Sequence, residues 1–181
     1  EAALSTVRYV PALAELGVMG MNLPERWGGP GATPTALVLS LAAIAQACTA
    51  TASMIGAHYL ATDSLLIGGD DALRARYLPA AASGAKLGAF ALTEPRAGSN
   101  PADMATRAVR EGEHYHLSGT KHFISNAGEA DFIVVYAKTD PAAGSKGVSA
   151  FIVEASSPGF KVAQKLDKMG FRGSPTGELV F

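Results

Sequence analysis

The chain has 181 residues, is 48% hydrophobic and carries 15 Lys+Arg against 16 Asp+Glu. That length holds one large or two small domains with a real core, and the balanced charge excludes a basic nucleic-acid footprint and an acidic tail, so a charged ligand must be held by a local site. The single cysteine, Cys48, excludes an internal disulfide and a thiolate zinc cluster and reads as a small buried apolar residue.

In chain order, Pro11 suits the first turn of a short helix that runs to Leu16 and ends at Gly17. The Pro- and Gly-rich stretch from Leu23 to Gly31 is a loop. Thr33 caps a second helix with Pro34 at its first position, and Leu37, Leu41, Ile44 and Cys48 follow at helical spacing. A third helix begins at Thr51 or Ser53 and buries Ile55, Tyr59, Leu65 and Leu66; Asp70 caps a fourth containing Leu73, Tyr77 and Leu78. The apolar stretch from Ala50 to Gly68 contains His58 and Asp63, and so reads as a buried helix rather than a membrane span. No signal peptide is visible. Four helices ahead of Ser83-Gly84 make residues 1–85 an α-helical domain.

Beyond that boundary the period shortens. Strands are predicted over Lys86–Thr93, Ala105–Arg110, His114–Ser118, His122–Ser125, Phe132–Lys138, Val148–Glu154 and Phe160–Lys165, with a strand-like run at Glu178–Phe181. Close turns without intervening helices predict an antiparallel, barrel-like β domain over residues 86–181. The fold class is therefore α+β: a helical N-terminal domain followed by an antiparallel β-barrel-like domain. The start at Glu1 and the stop inside a strand-like run read as a fragment.

No dinucleotide fingerprint, P-loop or nucleophile elbow is present. His114 and His116 share a strand face but have no third ligand nearby, so they read as exposed strand histidines and no metal is predicted. Phe90 to Asn100 begins as an apolar strand and ends in Ala97-Gly98-Ser99, a small-residue loop that lets backbone N–H groups and a hydroxyl approach a phosphate; an ordinary strand-to-turn connection explains the same residues. Gly119 to Asn126 sets the Phe123 ring and the Ser125 hydroxyl two residues apart on one strand face, suited to covering a ring system and bonding its edge, or equally to a core Phe and a turn Ser.

Taken together, Thr93-Glu94-Pro95-x-Ala97-Gly98-Ser99 and Gly119-x-Lys121-x-Phe123-Ile124-Ser125-Asn126 resemble the acyl-CoA dehydrogenase family. Leu23-Pro24-Glu25-x-Trp27-Gly28-Gly29, Arg76-Tyr77-Leu78-Pro79, Ala150-Phe151-Ile152-Val153-Glu154 and Lys168-Met169-Gly170-x-Arg172-x-Ser174 extend the resemblance, in order, over nearly the whole chain. Arg96, Asn100, Phe123 and Ser125 stand where the family commonly has Gly, an acid, Trp and Thr. Phe and Ser keep an aromatic face and a hydroxyl.

The resemblance implies FAD, an acyl-CoA substrate, an electron-transfer flavoprotein as partner and a homotetramer, in the cytoplasm of a bacterium or the mitochondrial matrix of a eukaryote. It implies that Phe90, Leu92 and Thr93 lie along the flavin, with Thr93 bonding its pyrimidine edge. Ser99 lies near the pyrophosphate and the thioester. Phe123 packs on the isoalloxazine, Ile124 belongs to the same cofactor-binding run, and Ser125 bonds near N5. Ser145-Lys146 matches a place where some members contact CoA. The implied reaction is α,β-dehydrogenation of a thioester: a carboxylate takes the α-proton and the β-hydrogen leaves as hydride to the flavin. In the family that base is a Glu of a C-terminal helical domain that is absent here, so no catalytic residue is assigned to this chain; Glu94 reads as shaping its loop and His58 as a core or interface histidine. An acyl-CoA oxidase or flavin monooxygenase on the same scaffold, and a non-catalytic ligand-binding module, are the alternatives.

Overall fold

The computed structural model describes residues 4–181; the first three residues of the predicted helical domain lie outside the described residues. The helices are α1 (Val10–Glu15), α2 (Pro34–Ala47), α3 (Thr49–Gly68) and α4 (Asp71–Ala82). Local chemistry sets their starts. Thr33 Oγ1 accepts the Ala36 N–H at 3.2 Å, and Asp70 Oδ1 accepts that of Leu73 at 2.8 Å. α3 begins earlier than predicted because Cys48 alone separates it from α2. Cys48 is extended, with φ −154°, and closes α2 by donating its N–H to Ile44 O at 2.8 Å. Sitting at that junction rather than on a buried helical stripe, Cys48 is half-exposed, which corrects its reading as a core residue.

α3 is the axis of the helical half. It is buried on most of its circumference, at Met54, Ile55, His58, Tyr59, Ala61 and Leu65 among others, and it packs against α2, α4 and the first strand. An apolar helix with little amphipathic bias belongs at such a centre.

The strands are β1 (Gly88–Ala91), β2 (Arg107–Glu111), β3 (His114–Ser118), β4 (Thr120–Ser125), β5 (Phe132–Lys138), β6 (Val148–Glu154), β7 (Lys161–Lys165) and β8 (Thr176–Val180). β5 is the hub of one sheet. β6 lies antiparallel along its whole length, β1 pairs with its first half, and β2 touches its end through Arg107 and Lys138 and carries β3 beyond. β4, β8 and β7 form a second, antiparallel sheet. The two sheets enclose Ala89, Ala91, Ile124, Ile133, Val135 and Leu179 but do not close into a barrel. Two pairings depart from the antiparallel expectation: β1 and β2 both run parallel to β5. The long excursion through β2, β3 and β4 returns the chain in its original direction, as a parallel pair requires.

β1 lies against α3 so closely that a Cβ on Gly88 would meet the Phe132 ring at 2.8 Å and Ala61 Cβ at 2.9 Å. Two polar side chains fix this approach. His58 Nδ1 accepts the Gly88 N–H at 2.9 Å. Asn126 Nδ2 donates to Met54 O and to Gly88 O, each at 3.0 Å. The buried N–H and carbonyl of Gly88 at the helix–sheet junction are thereby given side-chain partners.

Candidate functional site

β1 runs out of the sheet at Ala91, and the chain turns through Leu92-Thr93-Glu94. Glu94 and Ala97 exchange backbone bonds, Glu94 N to Ala97 O at 2.9 Å and Ala97 N to Glu94 O at 3.2 Å, so the loop opens at Ser99. The Glu94 carboxylate faces inward. It accepts the Ala105 N–H at 2.6 Å, the Thr106 N–H at 3.0 Å and Lys121 Nζ at 2.8 Å. The Lys121 side chain is wholly buried and Glu94's nearly so. Burial raises the Glu94 carboxyl, but hydrogen bonds from Lys121, Thr106 and Ala105 outweigh it and hold the group below its ordinary range. Burial pulls the Lys121 ammonium down, against the bond and charge of Glu94. With its lone pairs committed, Glu94 shapes the loop, as read from the sequence.

β4 lies alongside. His122 N–H donates to Thr93 O at 2.8 Å, and Lys121 Nζ donates to Leu92 O at 3.0 Å, so the two motifs that carry the family resemblance meet. The strand is irregular here, with a bulge between Lys121 and Ile124. Phe123 sits in that bulge at φ +59°; the residue is 64% exposed and its ring is set edge-on to His122 at 4.1 Å between centroids. A left-handed backbone is costly for a bulky L-residue, and an exposed ring gains little from burial in return. Such strain collects at ligand sites. Ser125 is half-buried, and neither its hydroxyl nor that of Thr93 takes a hydrogen bond among the described residues.

Other predicted residues fall as follows. The Ile124 side chain is buried in the core between the sheets, and its backbone pairs with Gly177 of β8. Phe90 and Leu92 are half-buried, with the Phe90 ring against Tyr136 at 5.3 Å. Ser99 is exposed, as are Ser145 and Lys146. The turn at Pro101–Asp103, just beyond Ser99, packs against the turn at Pro141–Gly147 that carries Ser145 and Lys146, so these two distant segments form one edge of the site. His116 pairs with Glu111 at 3.2 Å, and no cluster of three metal-ligating side chains exists among the described residues. His58 is fully buried and its imidazole is pushed down to about 4, chiefly by burial. A cavity of about 630 Å³ between α3, α4 and β6 contains none of the predicted site residues. Two residues quoted in the motifs but given no role, Lys121 and Asn126, prove to be buried anchors, each through partners distant in the chain.

The family model described as acyl-CoA dehydrogenase, N-terminal domain, matches residues 3–85, and that described as acyl-CoA dehydrogenase, middle domain, matches residues 89–181. The chain belongs to the acyl-CoA dehydrogenase family. Among family members, it is 44% identical over 172 residues to the mitochondrial isovaleryl-CoA dehydrogenase of Pongo abelii, a match covering 93% of this chain and 41% of that protein. Butyryl-CoA dehydrogenase from Megasphaera elsdenii superposes with a TM-score of 0.93 at 35% identity, over 98% of this chain and 48% of that one. A glutaryl-CoA dehydrogenase from Mycobacterium smegmatis in complex with FADH2 superposes at 0.91 and 34% identity, over 99% of this chain and 45% of that one. The chain thus spans less than half the length of these acyl-CoA dehydrogenases. None of its described helices is long and apolar enough to cross a membrane.

Proposed function

We propose that this chain forms the helical (1–85) and middle (86–181) portions of an FAD-dependent acyl-CoA dehydrogenase that introduces an α,β double bond into an acyl-CoA thioester. The observation that carries the reading is Phe123: an exposed aromatic ring in a strained bulge, beside two unengaged hydroxyls, on the strand that braces the Thr93 loop. Those are the parts needed to cover a flat conjugated ring and bond its polar edge.

When bound, FAD supplies the two-electron acceptor. The chain supplies the setting. Thr93 bonds the ring's polar edge, Phe123 walls one face, and Ser125 donates to the same ring system. Fixed donors at such an edge cost no reorganisation when charge builds up there. Ser99 and the exposed Arg96 meet phosphate charge, and Ser145 with Lys146, packed beside the Ser99 loop, takes the CoA moiety. No base is assigned here: the Glu94 carboxylate is engaged by three donors and His58 is shut inside the core. The α-proton falls to a carboxylate of the C-terminal helical domain, and residues 1–181 alone are inactive. A homotetramer that passes electrons to an electron-transfer flavoprotein, in the bacterial cytoplasm or the mitochondrial matrix, completes the reading.

Anaerobic titration of a full-length protein carrying residues 1–181 with a panel of acyl-CoA thioesters tests it. Bleaching of the flavin band by at least one thioester is expected. A colourless protein that takes up no FAD refutes the reading, and rapid oxygen consumption with the same thioester transfers it to an oxidase.

A further inference from the structure

We infer that Lys121 and Glu94 form a buried clamp that sets the Leu92–Thr93 backbone toward the flavin edge, which makes Lys121 a positioning residue for the cofactor. The inference rests on the flavin reading above.

Lys121 Nζ divides its donors between Glu94 Oε1 at 2.8 Å and Leu92 O at 3.0 Å. The next residue, His122, uses its backbone N–H on Thr93 O at 2.8 Å. Glu94 holds the far side of the turn through the Ala105 and Thr106 amides. Consecutive carbonyls of the turn are therefore tied to β4, and its acidic side chain is tied both to β4 and to the segment entering β2. With those carbonyls held inward, the Thr93 hydroxyl is left unengaged.

Stability alone is a poor reason for such a pair. Desolvating two charges costs as much as their attraction returns, and apolar replacements of similar volume are often neutral or stabilising. What an apolar pair cannot do is tie down the carbonyl of Leu92. A hydrogen bond from a charged donor is short and directional, and donors aimed at a ring edge act only when held to within a fraction of an ångström. The same Lys121 also precedes the bulge that presents Phe123, so one residue sets the register of both flavin-facing segments.

The test uses a full-length protein carrying residues 1–181. In the double variant Lys121→Met/Glu94→Gln no unpaired charge is left behind. The expected result is an apoprotein melting within a few degrees of wild type, with FAD bound at least tenfold more weakly and a shifted flavin absorption band. Wild-type FAD affinity and an unshifted band in that variant overturn the clamp. If the double variant does not fold, amide hydrogen exchange on wild-type apoprotein decides. Protection of the Ala105, Thr106 and His122 amides, which donate into this turn, before FAD is added supports the clamp, and protection gained only on adding FAD overturns it. A wild-type protein that binds no FAD at all sinks the flavin reading instead.

Discussion

Asn126 reaches from the turn just after β4 across the helix–sheet junction, donating one hydrogen bond to Met54 O in α3 and another to Gly88 O in β1, both at 3.0 Å. It does so from a left-handed backbone, φ +64°, at a position with no solvent exposure. The strand that presents Phe123 and Ser125 is thereby fixed to the central helix as well as to its own sheet. Asn126→Ala strands the buried Gly88 carbonyl, removes a second bond to the helical Met54 carbonyl, and places a Cβ residue without a compensating bond in that backbone. We expect a loss of about 2–4 kcal/mol in folding stability, read from denaturant titration at pH 7; a loss below about 0.5 kcal/mol would mean the junction does not depend on it.

His58 makes the same junction pH-sensitive. Its imidazole titrates near 4 in the fold against 6.5 in the unfolded chain, so the neutral form is the one the fold binds. The stability it confers is complete above pH 6.5 and is lost as the pH falls toward 4. That loss comes to about 3 kcal/mol. Glu94, also held below its ordinary value, loses stability in the same direction on acidification. In urea melts at pH 7, 5.5 and 4, His58→Gln should show a shallower decline than wild type. Parallel declines would remove His58 from the account.

Gly29 lies in the Trp-Gly-Gly loop where a Cβ would come within 2.1 Å of Leu23 O and 2.4 Å of Gly20 O. Both obstacles are backbone and neither can swing aside. Gly29→Ala should cost roughly 2–4 kcal/mol and lower the melting temperature; calorimetry that finds wild-type melting would show the loop free to open.

Phe123 poses the opposite case. Its backbone strain sits at a residue that is 64% exposed, so the fold gains little from it. Asn tolerates left-handed φ far better than Phe. Phe123→Asn should leave the apoprotein as stable or about 1 kcal/mol more stable while weakening FAD binding about tenfold, the expected mark of strain kept for a ligand. A less stable apoprotein that binds FAD normally would make Phe123 a structural residue.

Much of this molecule is legible from local sequence because its signals are local. Thr33-Pro34 and Asp70 mark helix starts through bonds that span three residues, and each predicted strand from Lys86 to Lys165 lies within a residue or two of an observed one. What escaped depends on distant partners. The break at Cys48 carries neither Pro nor Gly, so α3 starts before its expected cap. The parallel pairing of β1 with β5 is set by the path of the intervening chain, which alternation does not encode. The burial of Lys121 makes sense only beside a carboxylate 27 residues earlier in the chain. The bulge at Phe123 puts a bulky L-residue where propensity argues against it, and sites that break local rules are where ligands tend to bind.

The claim that the flavin edge is held at Thr93 is tested most directly by FAD affinity. Full-length apoprotein carrying Thr93→Val keeps the β-branched shape and loses only the hydroxyl, which no described residue engages. Titration followed by flavin fluorescence should show binding weakened about tenfold, the worth of one net hydrogen bond of about 1.4 kcal/mol, with the apoprotein's melting temperature unchanged. Wild-type affinity in Thr93→Val would contradict the placement of the flavin at this edge.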